Sequence, residues 1–138
     1  MIAHVSIGVS NIDRSKRFYD AALEPLGYKC LRVARSLVGY GYGHDSIALW
    51  VVQAERPVRA DEKSGLHFCF TARDPAAVDA FHAAAIAAGG QDNGVPGLRP
   101  IYGPDYYAAF IIDPDIPNRG ILRSSRNLKL VTIIDQEI

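Results

Sequence analysis

Two stretches of this sequence are copies of one another, and few folds are compatible with that. At an offset of 63 residues, His4–Lys29 aligns with His67–Asp92, and five of the 26 pairs are identical: His4/His67, Phe18/Phe81, Ala21/Ala84, Ala22/Ala85 and Gly27/Gly90. Average composition gives about one or two identities by chance. Apolar positions also match at Val5/Phe68, Ile7/Phe70 and Leu23/Ile86. A lone unit would leave one sheet face uncovered, so two units should share a core and form one domain. The 138 residues agree, being enough for one domain and too few for two ordinary ones.

Each copy opens with a strand whose side chains alternate between two faces. Val5, Ile7 and Val9 share one face, with His4, Ser6 and Gly8 opposite. In the second copy Leu66, Phe68, Phe70 and Ala72 are the apolar face, leaving His67, Cys69 and Thr71 on the other. A helix follows each strand, capped by Asn11 in one copy and by Asp74-Pro75 in the other. Ile12, Tyr19, Leu23 and Leu26 form the first apolar stripe, and Val78, Phe81, Ala85 and Ile86 the second. Gly27 and Gly89-Gly90 stop the helices. Strand character then falls at Lys29–Ala34, Leu37–Tyr42 and Ser46–Gln53, and again at Gly97–Tyr102, Tyr106–Ile112 and Arg119–Arg123. The unit is β-α-β-β-β, with Ala54–Ser64 as a polar linker.

Charge and composition narrow the function classes. Fifteen Lys+Arg balance fifteen Asp+Glu, so no net field draws nucleic-acid phosphates or anionic membranes. No apolar run approaches the ~18 residues of a membrane span, and the N-terminus does not resemble a secretory signal. Two cysteines, Cys30 and Cys69, are too few for a disulfide scaffold, and the expected setting is the cytoplasm with reduced thiols. A chain of this length buries ~68% of its unfolded surface, so its core needs no structural metal.

The run His4-Val5-Ser6-Ile7-Gly8-Val9-Ser10-Asn11-Ile12-Asp13-Arg14-Ser15 carries a family resemblance together with Phe18-Tyr19, Pro25-Leu26-Gly27-Tyr28, Gly65-Leu66-His67-Phe68, Tyr106-Tyr107-Ala108-Ala109-Phe110 and Asp113-Pro114-Asp115. Together these resemble the vicinal oxygen chelate superfamily, which includes glyoxalase I, extradiol dioxygenases and the fosfomycin and bleomycin resistance proteins. The resemblance implies an α+β fold of two repeated β-α-β-β-β modules in one domain, with curled sheets around a cleft, and a homodimer. On that basis residues 1–126 form the domain, with modules of about 1–56 and 64–126, and 127–138 form a C-terminal tail.

The resemblance also implies a divalent metal in many relatives, held by residues on the first and last strand of each module. His4 and His67 match the two first-strand positions. The last-strand slot of the first module falls near Ala48, which cannot bind a metal. In the second, relatives continue from Asp-Pro-Asp-Gly-Asn to a strand ending in a glutamate ligand. Here Asp113-Pro114-Asp115-Ile116-Pro117-Asn118 leads to Gly120, Ile121 or Leu122 at that slot, and the next acidic residue is Asp135. Two histidines without a third ligand make an incomplete site, so the expected cofactor is either none or a divalent metal ion.

The remaining candidates belong to a ligand pocket. Val38-Gly39-Tyr40-Gly41-Tyr42-Gly43 has alternating glycines with no helix pattern after them, so it reads as a strand and not a phosphate loop. Tyr40 and Tyr42 then share one face, with the glycines leaving the other open. Trp50 and Tyr106 add aromatic surface, Cys69 lies on the face of His67, and Arg99 can meet an anionic group. With His4 and His67 these eight residues form the expected pocket, and no residue is assigned a catalytic role. The leading expectation is a protein that binds a small apolar or aromatic organic molecule with an absent or incomplete metal site. The alternatives are a metal-dependent lyase, isomerase, dioxygenase or thiol transferase of the glyoxalase type, and a structural or regulatory module.

Overall fold

The computed structural model describes residues 2–57, 67–115 and, for backbone placement, 129–134. Among them are eight strands and two α-helices. The first module runs β1 (Val5–Val9), α1 (Ile12–Leu23), β2 (Tyr28–Ala34), β3 (Leu37–Tyr42) and β4 (Ile47–Gln53). The second runs β5 (His67–Ala72), α2 (Pro75–Ala87), β6 (Gln91–Leu98), β7 (Tyr107–Ile112) and β8 (Lys129–Ile134). Each module builds its own four-stranded sheet, ordered β1-β4-β3-β2 and β5-β8-β7-β6, in which the first strand pairs parallel with the last. The expected α+β fold of two β-α-β-β-β modules with curled sheets is the one observed.

Local chemistry sets the helix ends. The Asn11 side chain accepts from the Arg14 amide at 2.9 Å, and Asp74 accepts from the Ala77 amide at 2.7 Å, which satisfies N–H groups the helices cannot pair themselves. A 3-10 turn, Glu24–Leu26, follows α1 and closes on Gly27 at φ 83°, a left-handed conformation glycine adopts without cost. The apolar stripes hold with one exception. Phe18, Tyr19 and Leu23 of α1 and Val78, Phe81 and Ala85 of α2 are fully buried, whereas Ile86 lies on the exposed side.

One core serves both modules. Ile7, Val38, Tyr40, Leu49 and Val51 of the first sheet join Phe70, Ala72, Ala109 and Ile111 of the second, with α1 and α2 packed on one another among them. The Tyr28 ring of one sheet meets the Phe70 ring of the other edge-on, with centroids 5.5 Å apart. Inner faces and helices thus fill the space between the sheets, and among the described residues no element covers the opposite faces.

Buried carboxylates tie the modules together. Asp115 accepts from the Ser10 and Asn11 amides at 2.6 and 3.1 Å and from the Ser10 hydroxyl at 3.1 Å, and it pairs with Arg14. It sits at the N-terminus of α1, where a negative charge is favoured. Asp113 accepts from the Tyr19 hydroxyl of α1 and from the Asp115 amide. The Asp113-Pro114-Asp115 motif is therefore a clasp from the second module onto the first helix.

Two strands differ from expectation. β6 spans Gln91–Leu98 and not Gly97–Tyr102, and it runs through Gly94, Pro96 and Gly97. It is an edge strand paired only with β7, with register shifts between Asp92 and Gly94 and between Gly94 and Gly97. Proline and bulges are tolerated there because one side of the strand has no ladder to complete. The strand that closes the second sheet is Lys129–Ile134, inside the stretch set apart as a tail. The expected strand at Arg119–Arg123, like Leu66 and Asp135, lies outside the described residues.

Candidate functional site

The open faces carry the chemistry that the core does not use. On the first sheet His4, Ser6 and Ala48 are exposed, while Ile7, Val9, Leu49 and Val51 point the other way into the core. Trp50 stands on the open face and leans across Gly39, its cross-strand neighbour: a Cβ at Gly39 would come within 2.8 Å of both the Trp50 and Ile47 side chains. The space the alternating glycines were expected to leave open is thus filled. At Gly41 a Cβ would sit 2.0 Å from the Ser46 carbonyl oxygen, so backbone fills that space too.

The second open face repeats the device with other residues. Phe110 lies across Gly94, its partner on β6, where a Cβ would be 2.9 Å from the ring. The Arg99 guanidinium stands 5.5 Å from the Phe110 centroid, a cation–π distance, and is anchored by hydrogen bonds to the Val95 and Leu98 carbonyls at 2.5 and 3.2 Å. His67, Cys69 and Thr71 of β5 are exposed. Tyr106 packs on Tyr102 with centroids 5.2 Å apart, and burial pushes its phenol up, helped by the negative charge available at Cys69. Sequence reasoning missed the aromatic-over-glycine pairs. Their signal was a glycine facing an aromatic residue on the next strand, which can be read only once the register is known.

The eight expected pocket residues therefore separate. His4 and Trp50 lie on the open face of the first sheet, and His67 and Cys69 on that of the second, with Arg99 stacked over its Phe110. Tyr106 precedes β7. Tyr40 instead lies in the core at 1% exposure, where its hydroxyl donates to Asp20 at 2.9 Å and burial drives its pKa far upward. Tyr42 shares Tyr40's face but is exposed and helps line a pocket between the modules.

Among the described residues, the strand positions beside the two histidines do not supply a metal-ligand set. Parallel pairing of β1 with β4 begins at Val5 and Leu49, which places Ala48 at the position opposite His4. Pairing of β5 with β8 sets Lys129 opposite His67. The register thus gives the second last-strand slot to Lys129, whereas Gly120, Ile121 and Leu122 lie outside the described residues. Neither alanine nor lysine belongs to the usual ligand set of His, Cys and carboxylates. Among the described residues no group of three or more His, Cys, Asp or Glu side chains could hold a metal.

A solved glyoxalase/bleomycin resistance protein from Albidiferax ferrireducens T118 is 29% identical to this chain over 99% of both, with a TM-score of 0.76. A glyoxalase-related enzyme from Fulvimarina pelagi is 16% identical over 98% of this chain and 88% of its own, with a TM-score of 0.68. A mutant glyoxalase I from Zea mays is 23% identical, and the match covers 96% of this chain but 46% of that one, with a TM-score of 0.65. Both of the latter show the fold alone. No curated protein matches. Residues 1–115 match the family model of the Glyoxalase/Bleomycin resistance protein/Dioxygenase superfamily, and the chain belongs to that superfamily.

Proposed function

We propose that the protein binds a small aromatic or apolar organic molecule against the open faces of its sheets, without a metal, in a cytoplasmic homodimer. The observation that carries this reading is the content of those faces. Trp50 and the Arg99–Phe110 stack offer flat apolar surface with one fixed positive charge, while His4, Ser6, His67 and Cys69 are exposed polar side chains at strand positions facing away from the core. Ligand sites are typically apolar with a few placed polar groups, and these faces have that composition. The inner faces are spent on the shared core, so each open face is one wall of a cleft, and a second copy supplies the other wall. Among the described residues no third metal ligand joins the histidines, so no metal-dependent step is assigned.

The test is a thermal-shift screen of aromatic and apolar compounds in the presence of a chelator, with hits followed by emission of Trp50, the chain's one tryptophan. The expected hit raises the melting temperature, changes Trp50 emission, and binds about fivefold or more weakly in Arg99→Ala, since stacking and a fixed charge are both lost. Sedimentation should give a dimer at micromolar concentration. Hits that leave Trp50 unchanged and bind Arg99→Ala equally well would place the ligand elsewhere.

A further inference from the structure

We propose that the seam between the two modules is a binding site of its own, for a flat aromatic molecule bearing a single negative charge. A pocket of about 360 Å³ opens there, within the range of small-molecule sites. Pro25, Leu26, Tyr28 and Tyr42 of the first module form one wall, and Thr71 and Arg73 of the second form the other. Neither His4 nor His67 lines it, and although Thr71 borders the open face of β5, the pocket lies within one chain and needs no second copy.

The lining specifies the ligand. The Tyr28 and Tyr42 rings meet edge-on with centroids 5.9 Å apart, and Tyr28 is held from behind by Phe70. Tyr42 is 70% exposed, so the aromatic wall of the seam has an uncovered ring against which a second flat ring can stack. Gly27 makes room for this arrangement: a Cβ there would lie 3.0 Å from the Tyr42 ring. Neither phenol has a hydrogen-bond partner among the described residues. Burial pushes the Tyr28 phenol up, which keeps it a neutral O–H donor.

Arg73 is the one charged side chain in this lining. Its Nε pairs with Asp74 at 3.3 Å, while the other Asp74 oxygen caps α2, so the Nη groups remain to receive an oxyanion. With Asp74 offsetting part of the guanidinium charge, a carboxylate suits the rim better than a dianionic phosphate.

The test is a titration of the isotope-labelled full chain with naphthoate, and with neutral naphthamide as the charge control. The amides of Gly27, Thr71 and Arg73 are followed beside the indole N–H of Trp50. Saturable shifts are expected at the seam amides and not at Trp50. Tyr42→Ala should weaken both probes about fivefold or more, and Tyr42→Phe should restore binding. Arg73→Gln should weaken naphthoate by a similar factor and leave naphthamide unchanged. Both side chains are exposed, so the variants retain the core. Seam amides that do not shift, or an affinity that Tyr42→Ala leaves intact, would overturn the proposal. Shifts confined to Trp50 would also overturn it, while favouring the open-face site.

Discussion

Asp113 shows how a single residue links the modules at an electrostatic cost. Its carboxylate is almost fully buried, and burial pushes its pKa above the usual value despite the hydrogen bonds from Tyr19 and the Asp115 amide and the nearby Arg14 charge, which oppose that shift. A carboxyl whose folded pKa is raised contributes most to stability below its unfolded pKa, and this contribution declines as pH rises through the folded value. Asp113→Asn keeps an oxygen to accept from Tyr19 but cannot ionise. Its stability relative to wild type should therefore improve between pH 4 and pH 7, as read from denaturant unfolding at the two pH values. A difference that stays constant or moves the other way would show that Asp113 is not held with a raised pKa. The motif itself was visible in the sequence. Its role as a clasp was not, because Ser10, Asn11, Arg14 and Tyr19 lie roughly a hundred residues away along the chain and only the fold brings them together.

At the scale of elements, β3 offers the sharpest contrast. A Cβ at Gly39 would press on the Trp50 and Ile47 side chains, which can turn aside, whereas a Cβ at Gly41 would collide with the Ser46 carbonyl. Gly41→Ala should therefore cost about 2–3 kcal/mol and Gly39→Ala less, since forced backbone shifts are the more expensive response to overpacking. Gly39→Ala should also change Trp50 emission. Unfolding curves and fluorescence of the two variants test this, and equal destabilisation would mean that the backbone contact at Gly41 is not as tight as it stands here. The elements that the sequence revealed are those whose signals are local: β1 and β5 by alternation, the helices by spacing and caps, and β3 by its glycine alternation. β6 lies earlier in the chain than the expected Gly97–Tyr102, because Gly94 and Pro96 look like loop residues and only a place at the sheet edge makes them compatible with a strand. β8 falls in the expected tail because the resemblance puts the last strand soon after Asp115, although Lys129–Ile134 is rich in β-branched residues.

For the whole molecule, the repeat predicted two modules and one core, and both are present. The pocket was less legible, since alternation told which residues share a face but not which face the helix covers. Tyr40 went to the core for that reason, and Tyr42 to the seam. The two histidines occupy matching positions on the open faces of two sheets, where Ala48 and Lys129 stand in the neighbouring slots. The central claim is that these faces bind an organic molecule and not a metal. It is tested most directly by elemental analysis and metal titration of untagged protein beside a His4→Ala/His67→Ala double variant. The expected result is no stoichiometric metal in wild type and no difference between the two proteins. One metal ion per chain in wild type, lost in the double variant, would contradict it.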